Sequence, residues 1–595
     1  MMNIRHKVFI LFMIIIWSII CIRLFIVNVI NSQYYEKLAR NNTFKTEVLL
    51  PMRGLIMDRN GEPLAINELG FSISLIPKIR NKAIIDKEVQ RIVSYLPFLD
   101  KEKLIYIYQK NNHVYNHAPV ELVNFVPYIQ MLKVYAHLKR SPYVVIAANS
   151  KRFYPNESTA SHVIGYVAKA NEKDMQNNPL SLYSKVIGKE GIEKTYNSYL
   201  QGDAGYRKSQ INSLYKEIKL LQEDSVLQRN DLVLSLDLNL QESIDAEFGE
   251  RSGAVIVMDV HNGEILAAGS YPEYNINYFV DGISFKNWRE LTENVHKPLI
   301  NKLVYGRYPP GSVIKMGMLL SFLEFANITE DTIIQTPPFV EFGGRKFRDW
   351  KASGHGSADA LKAIRESVDV YFYILSQRVG IEHISGVLKR MGIGELTGVD
   401  IPNEVSGILP TPEWKLRRYG AQWYIGDTIT TSIGQGYFLS TPMQIARYTA
   451  LIASGKLVTP HFAKDFNGQS STFESKDILN DIQKSKLHIL RKGMYQVCST
   501  PGGTAYNRTQ GTQVKLACKT GTAQVVGIPQ DVQKRIKESE MEYFHRSHAW
   551  ITAFLPYDKP QYAITILIEH GGSGGNGGPL LVKIANKLKE LGYIK

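Results

Sequence analysis

From Val8 to Ile30 the chain is almost wholly apolar, with Ser18, Arg23 and Asn28 as its polar exceptions. At 1.5 Å rise per residue such a run matches the hydrocarbon thickness of a bilayer. The apolar core of a cleaved signal is about 7 to 15 residues, so length argues against cleavage. Ile20 is not the small residue that lipidation at Cys21 would require. Arg5, His6 and Lys7 precede the run. The positive-inside rule therefore predicts that residues 1–30 are a cytoplasmic N-terminus and an uncleaved single-pass anchor in the cytoplasmic (inner) membrane. The rest of the chain would lie in the periplasm or outside, with Arg23 near enough to the far end to snorkel. No later stretch is long and apolar enough to span.

The 595 residues leave room for two or three domains, and 44% apolar with 21% charged residues is ordinary for a globular chain. Residues 31–229 mix short alternating segments such as Gly70–Ile76 with polar helical ones such as Lys82–Tyr95. They read as a pedestal without a nucleophile motif. From about Asn230 a second domain, 230–595, begins. Gly253–Asp259, then Asn262-Gly263, then an apolar run predict a β-hairpin with a type I′ turn. Residues 515–526, 548–555 and 561–569 predict three further strands, and 579–591 a helix. Five strands from the two ends of this domain form one antiparallel sheet against an intervening helical block, an α+β fold.

Net charge is +14 but spread along the chain, with no basic tract that would favour nucleic acid. Of three cysteines, Cys21 lies in the anchor. Cys498 and Cys518 are read as unpaired buried thiols, with a disulfide as the alternative in an oxidising compartment.

Chemistry concentrates in three places. Ser312-Val-Ile-Lys315 follows Tyr308-Pro309-Pro310-Gly311, whose prolines and glycine break the chain before an apolar helix predicted to start near Ser312. A spacing of three puts Lys315 one turn below Ser312 on the same face. A helix N-terminus favours developing negative charge on the hydroxyl, and a neutral lysine there can take the serine proton. Ser213-Leu-Tyr-Lys216 has the same spacing but a polar setting, and reads as surface. Lys519-Thr520-Gly521-Thr522 lies on a predicted strand, and Ser367-Val368-Asp369 falls between the two motifs.

Ser-x-x-Lys, Ser-x-Asp and Lys-Thr-Gly together resemble the penicillin-binding protein and β-lactamase superfamily. Further stretches are similar to class B penicillin-binding proteins, most of all to the elongation type known as penicillin-binding protein 2. These are Arg53-Gly through Asp58-Arg59-Asn-Gly61, Lys189-Glu190-Gly191-Ile-Glu193, Gly434-Gln435-Gly436-Tyr437 with Thr441-Pro442-Met443-Gln444, and His548-Ala-Trp550. The resemblance spans nearly the whole chain. It implies a penicillin-binding transpeptidase domain with helices on both sides of the sheet, and a pedestal for dimerisation or partner binding. It also implies a D,D-transpeptidase that cross-links D-Ala-D-Ala-terminated stem peptides in cell elongation and rod-shape maintenance, with a carboxypeptidase-like acyl transfer and β-lactams as mimics. Implied partners are a membrane glycosyltransferase and shape-determining proteins.

In that reading Ser312 is the nucleophile, Lys315 the general base and Ser367 a proton relay. Lys519 attracts the substrate carboxylate, Thr520 and Thr522 hydrogen-bond it, and the backbone N–H groups of Ser312 and Thr522 hold the oxyanion. Gly521 completes the strand motif, and Asp369 replaces the more widespread Asn, as in elongation-type members. No cofactor is implied. Asp349 and His355 resemble part of a zinc site suspected in some relatives, but Val368 stands where that site's cysteine is expected, which leaves a tetrahedral set short of a ligand. His545 and His548 have ligand-like spacing, yet read as turn or packing residues. The alternatives are a division-specific transpeptidase, a β-lactamase or β-lactam sensor, which would not need the pedestal, and an idle scaffold, against which every catalytic position is filled.

Overall fold

A computed structural model describes residues 4–113, 116, 118–211, 217–224, 229–526 and 537–595, without the side chains of 37–42 and 539. The second Ser-x-x-Lys motif, Ser213 to Lys216, lies outside the described residues. Ile4–Phe25 is an α-helix that runs on into a π-helical turn, Ile26–Ile30. Within these 27 residues an 18-residue window has mean hydropathy 2.9, and none of that window is buried in the protein. Unpacked against the rest of this chain, so apolar a helix suits a single-pass membrane anchor.

The pedestal is built on one long strand, Pro63–Leu75, which contains the alternating Gly70–Leu75 segment. It pairs with both Val120–Pro127 and Val144–Phe153. Helices Lys82–Tyr95, Lys101–Asn111 and Tyr128–Lys139 enclose a core of their own, including Ile73, Val89, Ile92, Tyr108 and Met131. Asn81 and Asp100 cap the first two by accepting backbone N–H groups.

Lower in the pedestal the two outlying motifs meet. Glu193 is wholly buried between Arg53 and Arg152, each 2.6 Å away, and accepts the Tyr154 hydroxyl at 3.1 Å. Burial alone would raise its pKa; the two guanidiniums outweigh burial and hold it below the ordinary carboxylate value. Gly54 follows because a Cβ there would lie 1.8 Å from the Asn230 carbonyl oxygen. Arg53-Gly54 is thus one charge for Glu193 and one gap for the strand entering the second domain.

That strand, Leu232–Leu234, stitches the domains together. It pairs parallel with Ile56–Met57 of the pedestal and antiparallel with Ala463–Phe466. The seam also holds Glu273, which accepts the backbone N–H of Ser161 at 2.9 Å and of Ser270 at 3.1 Å, together with the Ser161 hydroxyl. Burial first, then the charge of Asp245, push its carboxyl up to about 8, against these hydrogen bonds.

The second domain contains the expected five-stranded antiparallel sheet, in the order Ile265–Tyr271, Gly253–Asp259, Tyr562–Ile568, His548–Leu555, Ala517–Ala523. Consecutive residues of these strands are buried, because helices cover both faces. Leu238–Phe248 packs with Gly578–Glu590, while Pro442–Ser454 lies along three of the strands. The strand Ala517–Ala523 ends the sheet.

Two expectations are corrected. The first hairpin is present, but its turn is not type I′: only Gly263 has positive φ, +87°, and its N–H donates to the Asp259 carbonyl at 3.1 Å. The loop is longer because His461 binds its backbone from the side, donating its N–H to the Gly263 carbonyl and accepting from Ile265 N–H, both at 3.0 Å. Cys498 and Cys518 are joined in a disulfide, with Cα atoms 5.9 Å apart. Cys498 closes helix Asp481–Ser499, which packs along the Ala517–Ala523 strand, so tertiary packing pairs thiols that sequence leaves apart.

Two measurements follow. Closing a loop of 20 residues stabilises by roughly 3 kcal/mol in the chain-entropy estimate; a Cys498→Ala, Cys518→Ala double variant should lose about that much in chemical denaturation. Glu273 has a folded pKa above its ordinary value of 4.5. Its contribution is therefore fully present below pH 4.5 and lost as pH rises through about 8. In that window wild-type stability should fall relative to Glu273→Gln, by at most ~1.4 kcal/mol per pH unit, as read by unfolding at a series of pH values.

Candidate active site

Tyr308-Pro309-Pro310-Gly311 delivers the chain to the edge strand. Gly311 has φ +55°, and a Cβ on it would meet the Thr522 carbonyl oxygen at 3.1 Å; its N–H donates to the Gly434 carbonyl at 2.9 Å. Trp550, on the neighbouring strand, donates its indole N–H to the Pro309 carbonyl at 3.1 Å, and the Tyr308 hydroxyl donates to Glu569 at 2.7 Å. Ser312 then sits in a 3₁₀ turn, Gly311–Ile314, and the α-helix proper is Lys315–Phe325. The helix thus begins one turn later than the sequence predicts. Tight 3₁₀ geometry is common at helix N-termini.

This helix is apolar all round and buried on every side, yet its first residue is Lys315, with no exposed surface. Its Nζ donates three hydrogen bonds: to Asp369 Oδ1 at 2.7 Å, the Ser367 carbonyl at 2.9 Å and Ser367 Oγ at 3.3 Å. Three bonds fill the donor capacity of an ammonium. Nζ also lies 5.0 Å from the centre of the Phe372 ring.

Ser367 occupies the break between helices Ala360–Arg365 and Asp369–Val379, with φ +56°, a sparsely populated conformation for a residue other than glycine. The strained turn aims its hydroxyl at the lysines. Asp369 opens the next helix, whose second N–H, that of Val370, donates to Asp349 Oδ2 at 3.1 Å.

Lys519 is also fully buried, and its Nζ donates to Ser367 Oγ at 2.9 Å and to the Thr520 carbonyl at 2.8 Å. Burial lowers its pKa, the like charge of Lys315 lowers it further and Asp369 only partly opposes them, so Lys519 lies well below the ordinary lysine range. Thr520 Oγ1 pairs with Thr504 Oγ1 at 2.6 Å. A Cβ on Gly521 would lie 3.0 Å from the Pro310 carbonyl oxygen, so glycine lets the strand lie on the serine turn. Thr522 is exposed; its hydroxyl accepts the Gly574 N–H at 3.1 Å, and its carbonyl accepts Gln435 Nε2 at 3.2 Å.

Ser312, Lys315, Ser367, Asp369, Lys519, Thr520, Gly521 and Thr522 therefore form one site. Sequence reasoning misses Glu569, Thr504 and Gly574, which lie in stretches without a motif. Gln435 and Trp550 belong to family-like motifs but carry no role that sequence alone assigns.

Asp349 and His355 pair with each other, 3.2 Å apart and both buried. Burial would raise the Asp349 pKa, but the adjacent His355 ring and backbone N–H bonds from Lys351 and Val370 hold it below the ordinary value. Among the described residues no group of three or more His, Cys, Asp or Glu is placed to hold a metal, and Val368 is buried and apolar. These residues do not fit a tetrahedral zinc site. His545 is exposed in a 3₁₀ turn, whereas His548 is packed against Tyr308 and His570. Burial and the neighbouring His570 push His548 down to about 4, with Glu569 opposing.

Residues 253–590 match the family described as penicillin binding protein transpeptidase domain, and residues 48–234 match the penicillin-binding protein dimerisation domain. The chain belongs to the class B penicillin-binding proteins. It is 33% identical to peptidoglycan D,D-transpeptidase MrdA of Escherichia coli strain K12, over 96% of this chain and 92% of that one. Its fold matches penicillin-binding protein 2 of Helicobacter pylori, solved in complex with MreC, with TM-score 0.86 and 50% identity over 93% of this chain and all of that one. A chain from a peptidoglycan synthase complex, solved to show how polymerization and crosslinking are coordinated, matches with TM-score 0.71 and 26% identity over 99% of both chains.

Proposed function

We propose that this penicillin-binding protein is an elongation-type peptidoglycan D,D-transpeptidase acting through a Ser312 ester. The observation that carries the proposal is the Ser367 hydroxyl, which touches both buried lysines directly behind the serine turn. Whole-length likeness to MrdA and to penicillin-binding protein 2 supports the substrate class and the elongation role.

In the first half-reaction Ser312 Oγ attacks the carbonyl of the terminal D-Ala-D-Ala bond, and its proton passes to Lys315. Lys315 accepts it in its neutral form, and Ser367 Oγ, which both lysines reach, is the relay from there. The N–H groups of Ser312 and Thr522 hold the oxyanion. Ser367 then returns a proton to the leaving D-Ala amine. In the second half-reaction an amine from a neighbouring strand attacks the ester and releases Ser312. The donor peptide adds as an extra strand to the free edge at Ala517–Ala523, where main-chain groups bind it without regard to side chain. A β-lactam acylates Ser312 by ring opening, so no leaving group departs.

The orientation proposed, with the N-terminus in the cytoplasm and the catalytic domain outside, is supported by Arg5, His6 and Lys7 ahead of the apolar run. MreC, the partner of the Helicobacter pylori relative, and a polymerising glycosyltransferase are the partners proposed for the pedestal and anchor.

Intact-protein mass spectrometry after benzylpenicillin should show one adduct. Ser312→Ala should abolish it with circular dichroism unchanged, whereas Ser367→Ala should retain it but form it about 10² to 10⁴ times more slowly. A full-rate adduct on Ser312→Ala would refute the assignment.

A further inference from the structure

The carbonyl of Thr522 faces the open edge of the catalytic sheet, and that edge is already occupied at one point. Gln435 Nε2 donates to Thr522 O at 3.2 Å. The backbone of Gln435 is held: its own N–H donates to the Thr430 carbonyl at 3.1 Å, and the preceding Gly434 accepts the Gly311 N–H at 2.9 Å. A Cβ on Gly434 would lie 2.3 Å from the Gly311 carbonyl oxygen, so this loop cannot lie on the serine turn with a larger residue there. Gly434 and Gly436, at φ +72° and +73°, bend the chain on either side of Gln435. The half-buried side chain is the part left free to rotate.

We infer that Gln435 is a specificity-determining residue: in the resting enzyme its carboxamide fills the place on Thr522 O that an incoming ligand's amide N–H must take. This rests on the proposed reading that ligands acylating Ser312 dock along the Ala517–Ala523 edge. A ligand with an amide N–H in the right register replaces one neutral hydrogen bond by another and displaces the carboxamide. A ligand without that N–H gains nothing at Thr522 O and leaves Gln435 in place. The residue therefore sets how strongly the site rewards a peptide-like backbone over a bare acylating group.

The test uses the full chain and two β-lactams, benzylpenicillin, which has an acylamino N–H beside the ring, and penicillanic acid, which lacks it. The readout is the ratio of their second-order acylation rates, measured by mass spectrometry of the Ser312 adduct. Gln435→Ala removes the competing donor and should raise the ratio about 3- to 10-fold, the worth of one neutral hydrogen bond. Gln435→Glu keeps the size but cannot donate when ionised, and should also raise it. A variant that is partly unfolded loses both rates together, so the ratio stays informative. An unchanged or lower ratio in both variants would overturn the inference. No adduct with either compound on the wild-type protein would instead overturn the reading of Ser312, and this inference with it.

Discussion

Two lysines, one carboxylate and one hydroxyl share a pocket closed to water, and the site depends on how that charge imbalance is resolved. Lys315 takes Asp369 at 2.7 Å and fills its remaining donors on Ser367. Lys519 reaches the same Ser367 hydroxyl, and burial together with the like charge of Lys315 lowers its pKa well below the ordinary lysine value. Two buried ammonium groups with a single counter-ion would be very costly. The two amines are joined through one oxygen, Ser367 Oγ.

Each participant arrives on a different element, and the elements are held by contacts that suit little else. The serine turn is pinned by Trp550 to Pro309, by Gly434 to Gly311 and by the close approach of Gly521. Ser367 is aimed by a strained turn whose following helix is capped by Asp349. The Lys519 strand is fastened from behind by the Cys498–Cys518 disulfide, next to Lys519 itself. The pedestal joins this assembly through Leu232–Leu234 and through Gly54, where the backbone of Asn230 passes too close for any side chain.

Much of this architecture is legible in the amino-acid sequence. The spacing of Ser312 and Lys315, the alternation in Gly70–Leu75, the polar helix Lys82–Tyr95 and the three C-terminal strands are local signals, and local signals survive folding. What escapes it depends on distant chain segments. The Asn262-Gly263 turn opens because His461 binds its flank. Cys498 and Cys518 pair because a helix docks on a strand. The helix start moves to Lys315 because the serine turn is shaped by Gly434 and Thr522. The bridging role of Ser367, rather than an isolated Lys315, is a three-body arrangement that motif spacing does not encode.

The central claim is that burial and the like charge of Lys315 together lower the pKa of Lys519 well below its ordinary value in the resting enzyme. Nitrogen and carbon NMR of selectively labelled lysine, assigned through a Lys519→Arg variant, reads the charge on Lys519 directly as pH is varied. The account predicts a Lys519 titration midpoint well below the ordinary 10.5. A midpoint at or above 10.5 would contradict it.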